Sequence, residues 1–290
     1  MALHAFKGEE VAAGRLAKVL GADLAFIETR RFPDGETLTR VPKPAPRTIV
    51  YRSLDNPNEK LIELILCAEA WRREGARRLE LVAPYLAYMR QDKAFHAGES
   101  VSQRSIVPLL ARLFDRIVTV DAHFHRTPSF AQLLPGYDAH NLHAAPLWAR
   151  TLRERALDRD TILMGPDSEA IAWVKPIAEE LGLAHAVFAK QRHSDTQVSL
   201  SLPACLALSG RSVCLIDDVS SSGGTLLEAV RHLKAEAASR ITILVTHALF
   251  SPAIEAALKQ AGVHEILSSD SVPHPTNAVH LAPLLATALG

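Results

Sequence analysis

One stretch limits what this chain can become more than any other: Val213-Cys-Leu-Ile-Asp-Asp-Val-Ser-Ser-Ser-Gly-Gly-Thr225. Val213 to Ile216 form an apolar run bounded by Gly210 and by charge, which is how a strand buried on both faces reads. Leu226, Leu227, Val230 and Leu233 then recur at helical spacing, so a helix is expected to begin near Thr225. Between strand and helix, Ser221, Ser222, Gly223, Gly224 and Thr225 supply hydroxyls and approachable backbone N–H groups at a helix N-terminus. A phosphate monoester needs that combination of donors, positive partial charge and missing Cβ atoms. Asp217 and Asp218 repel each other unless a ligand or cation compensates, and they suit the vicinal hydroxyls of a sugar. The stretch therefore reads as a ribose-phosphate loop, against the plainer alternative of a tight turn with a helix cap.

The rest of the chain alternates in the same way. Strands are expected at Thr48–Tyr51, Leu79–Ala83, Arg116–Val120, Thr161–Met164, Ala186–Ala189 and Ile241–Thr246. Helical patterns fill Asn58–Glu74, Val101–Phe114, Ala170–Leu181 and Pro252–Ala261. Val-, Ile- and Leu-rich strands between helices predict an α/β protein whose mainly parallel sheets are covered on both faces. Ligands of such sheets gather at the carboxyl ends of the strands. The polar clusters fall there: Pro84-Tyr85, Asp121-Ala-His123, Gly165-Pro-Asp167, Lys190-Gln-Arg192 and the acidic pair. With 290 residues and a second sheet beginning after Asn141–Trp148, two similarly built domains are expected, 1–145 and 146–290.

Charge narrows the partners. Lys plus Arg and Asp plus Glu both number 32, leaving no global field for nucleic acid or an anionic membrane. No apolar run approaches membrane-spanning length and no leader segment is evident, so a cytoplasmic protein is expected. Cys67, Cys205 and Cys214 sit in apolar runs and read as small buried hydrophobes.

Three further constellations carry chemistry. Tyr85-Leu-Ala-Tyr-Met-Arg-Gln-Asp-Lys93 follows a strand; Arg90 and Lys93 suit phosphates and Gln91 a base edge, with a solvated face as the competing reading. His123, favoured over His125, and Asp167 stand at strand ends and suit a Mg²⁺ held directly or through water. Lys190 and Arg192 precede the polar stretch His193–Ser201, which reads as a lid carrying cations onto a transferring phosphate, or as an exposed hairpin. Arg31-Phe-Pro-Asp-Gly-Glu36 alone reads as an ordinary turn.

In this order, Arg31–Glu36, Pro84–Lys93, Thr119–His123, Gly165–Asp167, Lys190–Arg192 and Asp217–Thr225 resemble the ribose-phosphate diphosphokinases (phosphoribosyl diphosphate synthetases) over nearly the whole chain. The resemblance implies two type I phosphoribosyltransferase-like domains and transfer of the diphosphoryl group of ATP to ribose 5-phosphate with Mg²⁺. It assigns Phe32, Asp34, Glu36, Arg90, Gln91 and Asp92 to ATP, His123 and Asp167 to the metal, and Lys190 and Arg192 to catalysis. Asp217, Asp218, Ser221, Ser222, Gly223, Gly224 and Thr225 fall to ribose 5-phosphate. It also implies a homo-oligomer, a dimer or higher, in which the Phe32–Glu36 loop reaches a neighbour's ATP. Three departures stand out. Ser221 and Ser222 replace an Asp-Thr pair, Gln191 interrupts a Lys-Arg-Arg run, and Ser168-Glu169 replaces a small glycine-containing sequence. The rival readings are a phosphoribosyltransferase and a non-catalytic regulatory homologue.

Overall fold

Apolar strands separated by amphipathic helices produce, in the computed structural model, two compact units; residues 1–124, 129–155, 157–192, 198–201 and 207–290 are described. The first unit runs through β1 (Ala2–Ala5), α1 (Glu10–Leu20), β2 (Asp23–Phe26), β3 (Glu28–Arg31), β4 (Thr37–Arg40), β5 (Arg47–Tyr51) and α2 (Pro57–Arg73). It continues with β6 (Arg78–Val82), α3 (Ser102–Leu113), β7 (Arg116–Val120), α4 (Phe130–Leu133) and β8 (Ala139–Leu142). Its parallel sheet has the order β2-β1-β5-β6-β7-β8, while β3 and β4 form an antiparallel hairpin apart from it.

The second unit repeats the plan. Its elements are α5 (Ala145–Glu154), β9 (Ile162–Gly165), α6 (Ile171–Leu181), β10 (Ala184–Val187), β11 (Ala189–Arg192), β12 (Val198–Ser201), β13 (Ser212–Ser220) and α7 (Gly224–Ala235). β14 (Arg240–Ala248), α8 (Pro252–Gln260), β15 (Glu265–Ser269) and β16 (Asn277–Val279) follow, and α9 (Ala282–Thr287) closes the chain. The sheet order β10-β9-β13-β14-β15-β16 matches that of the first unit, with the β11–β12 hairpin inserted at the same place, after the second strand. In each sheet the winding direction reverses beside the first strand, which opens a crevice at the strands' carboxyl ends. In the second unit that crevice lies between β9 and β13.

The first unit comprises residues 1–143, 271–273 and 280–290, and the second residues 144–270 and 274–279. Residues 271–273 and 280–290 return to the first unit, where α9 packs against α1. Arg116 Nη1 donates to Ala288 O at 2.7 Å, and Arg47 donates to Leu289 O. Two arginines thereby satisfy carbonyls that the end of a short helix leaves open.

Each unit has its own core. Trp71, Leu64, Leu79, Leu81, Leu110, Phe114 and Ile117 are buried in the first, and Ile162, Met164, Phe188, Leu215, Leu226, Val230 and Ile243 in the second. His4 is buried and accepts the Trp71 indole N–H at 3.0 Å; burial lowers its pKa to about 4, so it packs as a neutral ring. Cys67 and Cys214 are buried free thiols, and Cys205 lies outside the described residues. Among the described residues no helix is long and apolar enough to cross a membrane.

One buried group sets a pH response. Glu9 is 5% exposed; its Oε1 accepts the Ser53 N–H at 2.8 Å, and its Oε2 lies 3.6 Å from Arg52 Nη1. Burial raises its pKa from 4.5 to about 7, outweighing Arg52 and Lys60. Its contribution to stability is thus complete below the unfolded value and is lost as pH rises through about 7. Relative to Glu9→Gln, the protein should lose about 3 kcal/mol between about pH 4.5 and pH 8. Urea unfolding of both proteins at the two pH values checks this; parallel stability curves would reject it.

Candidate active site

β13 carries the acidic pair and delivers the serine-glycine loop. The apolar run ends at Ile216, yet the strand continues to Ser220 because β14 keeps pairing with it, Asp217 opposite Val245 and Ser220 opposite Ala248. On the other side, pairing with β9 stops at Leu215 opposite Met164. The strand therefore continues beyond its pairing with β9, toward the crevice, and the acids belong to the strand rather than to the loop after it.

The two carboxylates are not equivalent. Asp218 is buried, while Asp217 is half-buried and accepts the Asp218 N–H at 3.1 Å. Although Asp217 keeps part of its surface, the surrounding protein strips away enough water to push its carboxyl well above the usual range. The negative charges of Asp218 and Asp167 add to that shift. A cation or hydroxyl-bearing ligand arriving here relieves a repulsion already built in.

The loop rests on a glycine where any side chain would be strained and crowded. Gly223 has φ +69° and serves as N-cap of α7 without a side-chain cap bond. A methyl at its Cα would overlap Ile254 Cγ2. Gly224 is different, since a Cβ there meets only Ser222 Oγ at 3.8 Å. The first intrahelical bond runs from Leu227 N to Gly223 O at 2.9 Å. The N–H groups of the first turn before Leu227 have no intrahelical acceptor, and an anion at this helix start is favoured by both donors and dipole.

Across the crevice, the turn after β9 is equally tight. A Cβ at Gly165 would stand 2.5 Å from Ala170 Cβ and 3.0 Å from Val187 Cγ1. Asp167 caps the single 3₁₀ turn Ser168–Ala170, its Oδ1 accepting from Glu169 N at 3.0 Å and Ala170 N at 3.3 Å. Glu169 is exposed at the rim. An Asp followed by a helical apolar pattern is a sequence-level cap signature, so this second role was open to sequence reasoning.

The remaining expected residues are distributed as follows. Lys190 and Arg192 lie in β11, their backbones opposite Leu200 and Val198; their side chains, and residues 193–197 of the expected lid, lie outside what is described. His123 follows β7 in the first unit and is half-buried; His125 lies outside the described residues. Beside it Asp121, fully buried at φ +40°, meets His143 Nδ1 at 3.2 Å, and that hydrogen bond raises the His143 pKa. His143 was not singled out from the sequence, because a lone histidine in a His-rich passage carries no spacing signal.

Arg90 is exposed and Asp92 is buried in the segment after β6. The Gln91 amide turns back on this segment, donating to Lys93 O at 3.1 Å and Glu99 Oε2 at 3.4 Å. Phe32, Asp34 and Glu36 form the tip of the β3–β4 hairpin, closed by Phe32 N to Glu36 O at 2.8 Å and by Gly35 at φ +95°. Asp34 and Glu36 are exposed. The turn expected at Pro-Asp-Gly is present, and it holds the two carboxylates clear of their own unit's sheet. Among the described residues no group of three or more His, Cys, Asp or Glu is arranged to hold a metal.

A doubly wound sheet with an acidic strand end and a glycine-pinned loop at its switch point defines a phosphoribosyl-transfer type of protein. Residues 139–281 match the family model described as the phosphoribosyl transferase domain, and residues 1–113 match the N-terminal domain of ribose phosphate pyrophosphokinase. A ribose-phosphate pyrophosphokinase of Methanopyrus kandleri is 35% identical over 277 residues, covering 95% of this chain and 94% of its own. One from Pyrococcus furiosus is 32% identical over 265 residues, covering 90% and 91%. The crystal structure of phosphoribosylpyrophosphate synthetase from Mycobacterium smegmatis superposes with a TM-score of 0.86 at 26% identity, covering 99% of this chain and 97% of that one. The chain belongs to the ribose-phosphate pyrophosphokinase family.

Proposed function

We infer that this chain is a ribose-phosphate diphosphokinase, moving the β,γ-diphosphoryl group of ATP to the anomeric hydroxyl of ribose 5-phosphate. The products are 5-phosphoribosyl 1-diphosphate and AMP. The new bond joins the anomeric oxygen to Pβ, the bond from Pβ to the α,β-bridging oxygen breaks, and the hydroxyl proton leaves to solvent. The observation that carries the reading is the glycine-pinned loop at the carboxyl end of β13, within a chain that matches the family over both units.

In this reading Ser221, Ser222, Gly223, Gly224 and Thr225 hold the 5-phosphate through N–H and hydroxyl donors. Asp217 and Asp218 accept from the ribose hydroxyls. Phe32, Asp34, Glu36, Arg90, Gln91 and Asp92 bind ATP, and Lys190 with Arg192 neutralises charge on the transferring group. The donor set fits Mg²⁺, a hard ion that takes one or two carboxylates together with phosphate oxygens and waters and needs no protein cage. Asp167 and His123 are the residues that would hold it in this reading. When bound, it would neutralise charge on the ATP phosphates.

The hairpin supports a homo-oligomer with ATP near the interface. Its tip is exposed, and a cavity of about 630 Å³ beside it is lined by Arg31, Glu36, Asn58, Ile62 and Leu66. Those apolar residues on α2 suit a second copy of the chain better than water. A cytoplasmic location fits substrates of this kind.

The direct test is incubation of the purified chain with ATP, Mg²⁺ and ribose 5-phosphate, with AMP measured. AMP formed only when the sugar phosphate is present is the expected result. Its absence would leave a regulatory homologue, and consumption of 5-phosphoribosyl 1-diphosphate with a nucleobase would point to a transferase. Asp217→Asn and Asp218→Asn should each weaken ribose 5-phosphate binding by roughly tenfold or more, the scale of a charge-assisted hydrogen bond. Titrations identical to wild type would remove the acidic pair from the sugar site.

A further inference from the structure

The phosphate loop is also held from behind. Ser220 O accepts the Leu249 N–H at 2.8 Å, and Gly223 lies against Ile254. Residues 249–254, from the end of β14 into α8, thus form the wall on which the loop rests.

That wall is fastened by one histidine. His274 Nε2 lies 3.1 Å from Phe250 O, and the two rings meet edge to face with centroids 4.6 Å apart. His274 Nδ1 lies 2.7 Å from Thr276 Oγ1 and accepts the Thr276 N–H at 3.2 Å. Thr276 Oγ1 in turn meets Ser268 Oγ at 2.8 Å, and Asn277 Nδ2 donates to Ser268 Oγ at 2.9 Å. Asn277 Oδ1 accepts the His274 N–H at 3.0 Å.

Donor and acceptor roles settle the tautomer. A carbonyl only accepts, so Nε2 carries the proton; Thr276 N–H only donates, so Nδ1 carries none. The hydroxyls then align in one direction, Asn277 to Ser268 to Thr276 to His274 to Phe250 O, and every member has its partner. A satisfied network of this kind holds one geometry, and it ends on the carbonyl four residues before the side chain that touches Gly223.

We propose that His274 is a positioning residue for ribose 5-phosphate, acting through Phe250 and Ile254 on the Gly223 loop. The proposal rests on reading Ser221–Thr225 as the sugar-phosphate cradle. Losing the ring removes both the bond to Phe250 O and the edge-to-face contact, so the wall and the loop on it lose their fixed register. Displacements of about 1 Å at a positioning group cost up to roughly a hundredfold in rate.

The test separates positioning from folding. His274→Ala should raise KM for ribose 5-phosphate roughly tenfold or more, with KM for ATP within about twofold of wild type. His274→Gln, whose amide N–H can reach Phe250 O, should recover part of that loss. A merely structural role would lower the unfolding temperature and the active fraction without selecting one substrate's KM. Should His274→Ala not fold, Thr276→Val removes the hydroxyl that orients the ring and should raise the same KM by a smaller factor. Unchanged KM for ribose 5-phosphate in His274→Ala, or in Thr276→Val where His274→Ala does not fold, or equal rises for both substrates, would overturn the proposal. Gly223→Ala assayed alongside tells the two failures apart. If it raises KM for the sugar phosphate while the His274 and Thr276 variants do not, the cradle stands and His274 has no part in it. If it too leaves that KM unchanged, the cradle reading itself falls and the proposal falls with it.

Discussion

Gly223→Ala is expected to lower kcat/KM for ribose 5-phosphate by roughly a hundredfold or more while leaving ATP affinity and the overall fold intact. Two costs act together. A non-glycine residue at φ +69° gives up about 1–2 kcal/mol, and its methyl would overlap Ile254 Cγ2. The cheapest escape is for the loop to move away from α8, which misplaces the N–H donors by the distance a phosphate cradle cannot absorb. Because the clash has one named partner, Ile254→Ala in the Gly223→Ala background should recover about tenfold by relieving the overlap. The φ penalty would remain. Gly224→Ala provides the contrast: a Cβ there meets only Ser222 Oγ at 3.8 Å, so the loss should stay below roughly tenfold. Steady-state kinetics on the three variants decide the matter. Equal losses at the two glycines, or no recovery with Ile254→Ala, would show that close packing on α8 does not set the loop.

That glycine illustrates what the sequence discloses and what it does not. Its place in a loop between a buried strand and a helix is legible from composition and spacing, but its contact with Ile254, far along the chain, is produced only by folding α8 beside α7. Similarly, Val213–Ile216 announces a strand, whereas its extension to Ser220 depends on pairing with β14, which no local pattern records. The strands β1 (Ala-Leu-His-Ala) and β2 (Asp-Leu-Ala-Phe) escaped notice because four mixed residues give no period; β1 becomes a strand by pairing with β5, and β2 by pairing in turn with β1. The return of residues 280–290 to the first unit was also hidden. Ala282–Thr287 is too short for a helical stripe, and its anchors Arg47 and Arg116 lie in distant strands. By contrast, Arg116–Val120 was legible to the residue, being a compact Ile-Val-Thr-Val run buried from both faces. Asp167, expected from the sequence at a strand end, caps the 3₁₀ turn after β9, a role that its place before a helical apolar pattern could have announced.

Lys190→Ala should lower kcat by roughly a hundredfold or more with little change in ribose 5-phosphate affinity, the scale for losing a charge contact made in the transition state. Diphosphoryl transfer spreads negative charge over the oxygens of the migrating group. A lysine contributes a compact, strongly localised charge that matters most when water is excluded. The sugar phosphate is held elsewhere in this reading, by the loop between β13 and α7, whereas Lys190 belongs to the β11–β12 hairpin with its backbone opposite Leu200. The two functions should therefore separate in the kinetics: kcat falls, the binding constant for ribose 5-phosphate measured without turnover does not. Lys190→Arg keeps the charge but spreads it over a planar fork, so partial activity is expected from it. Single-turnover measurement of AMP release gives the chemical step directly. A rise in KM for ATP at unchanged kcat would mean that the lysine binds the ground state, and the transition-state assignment would then pass to Arg192 alone.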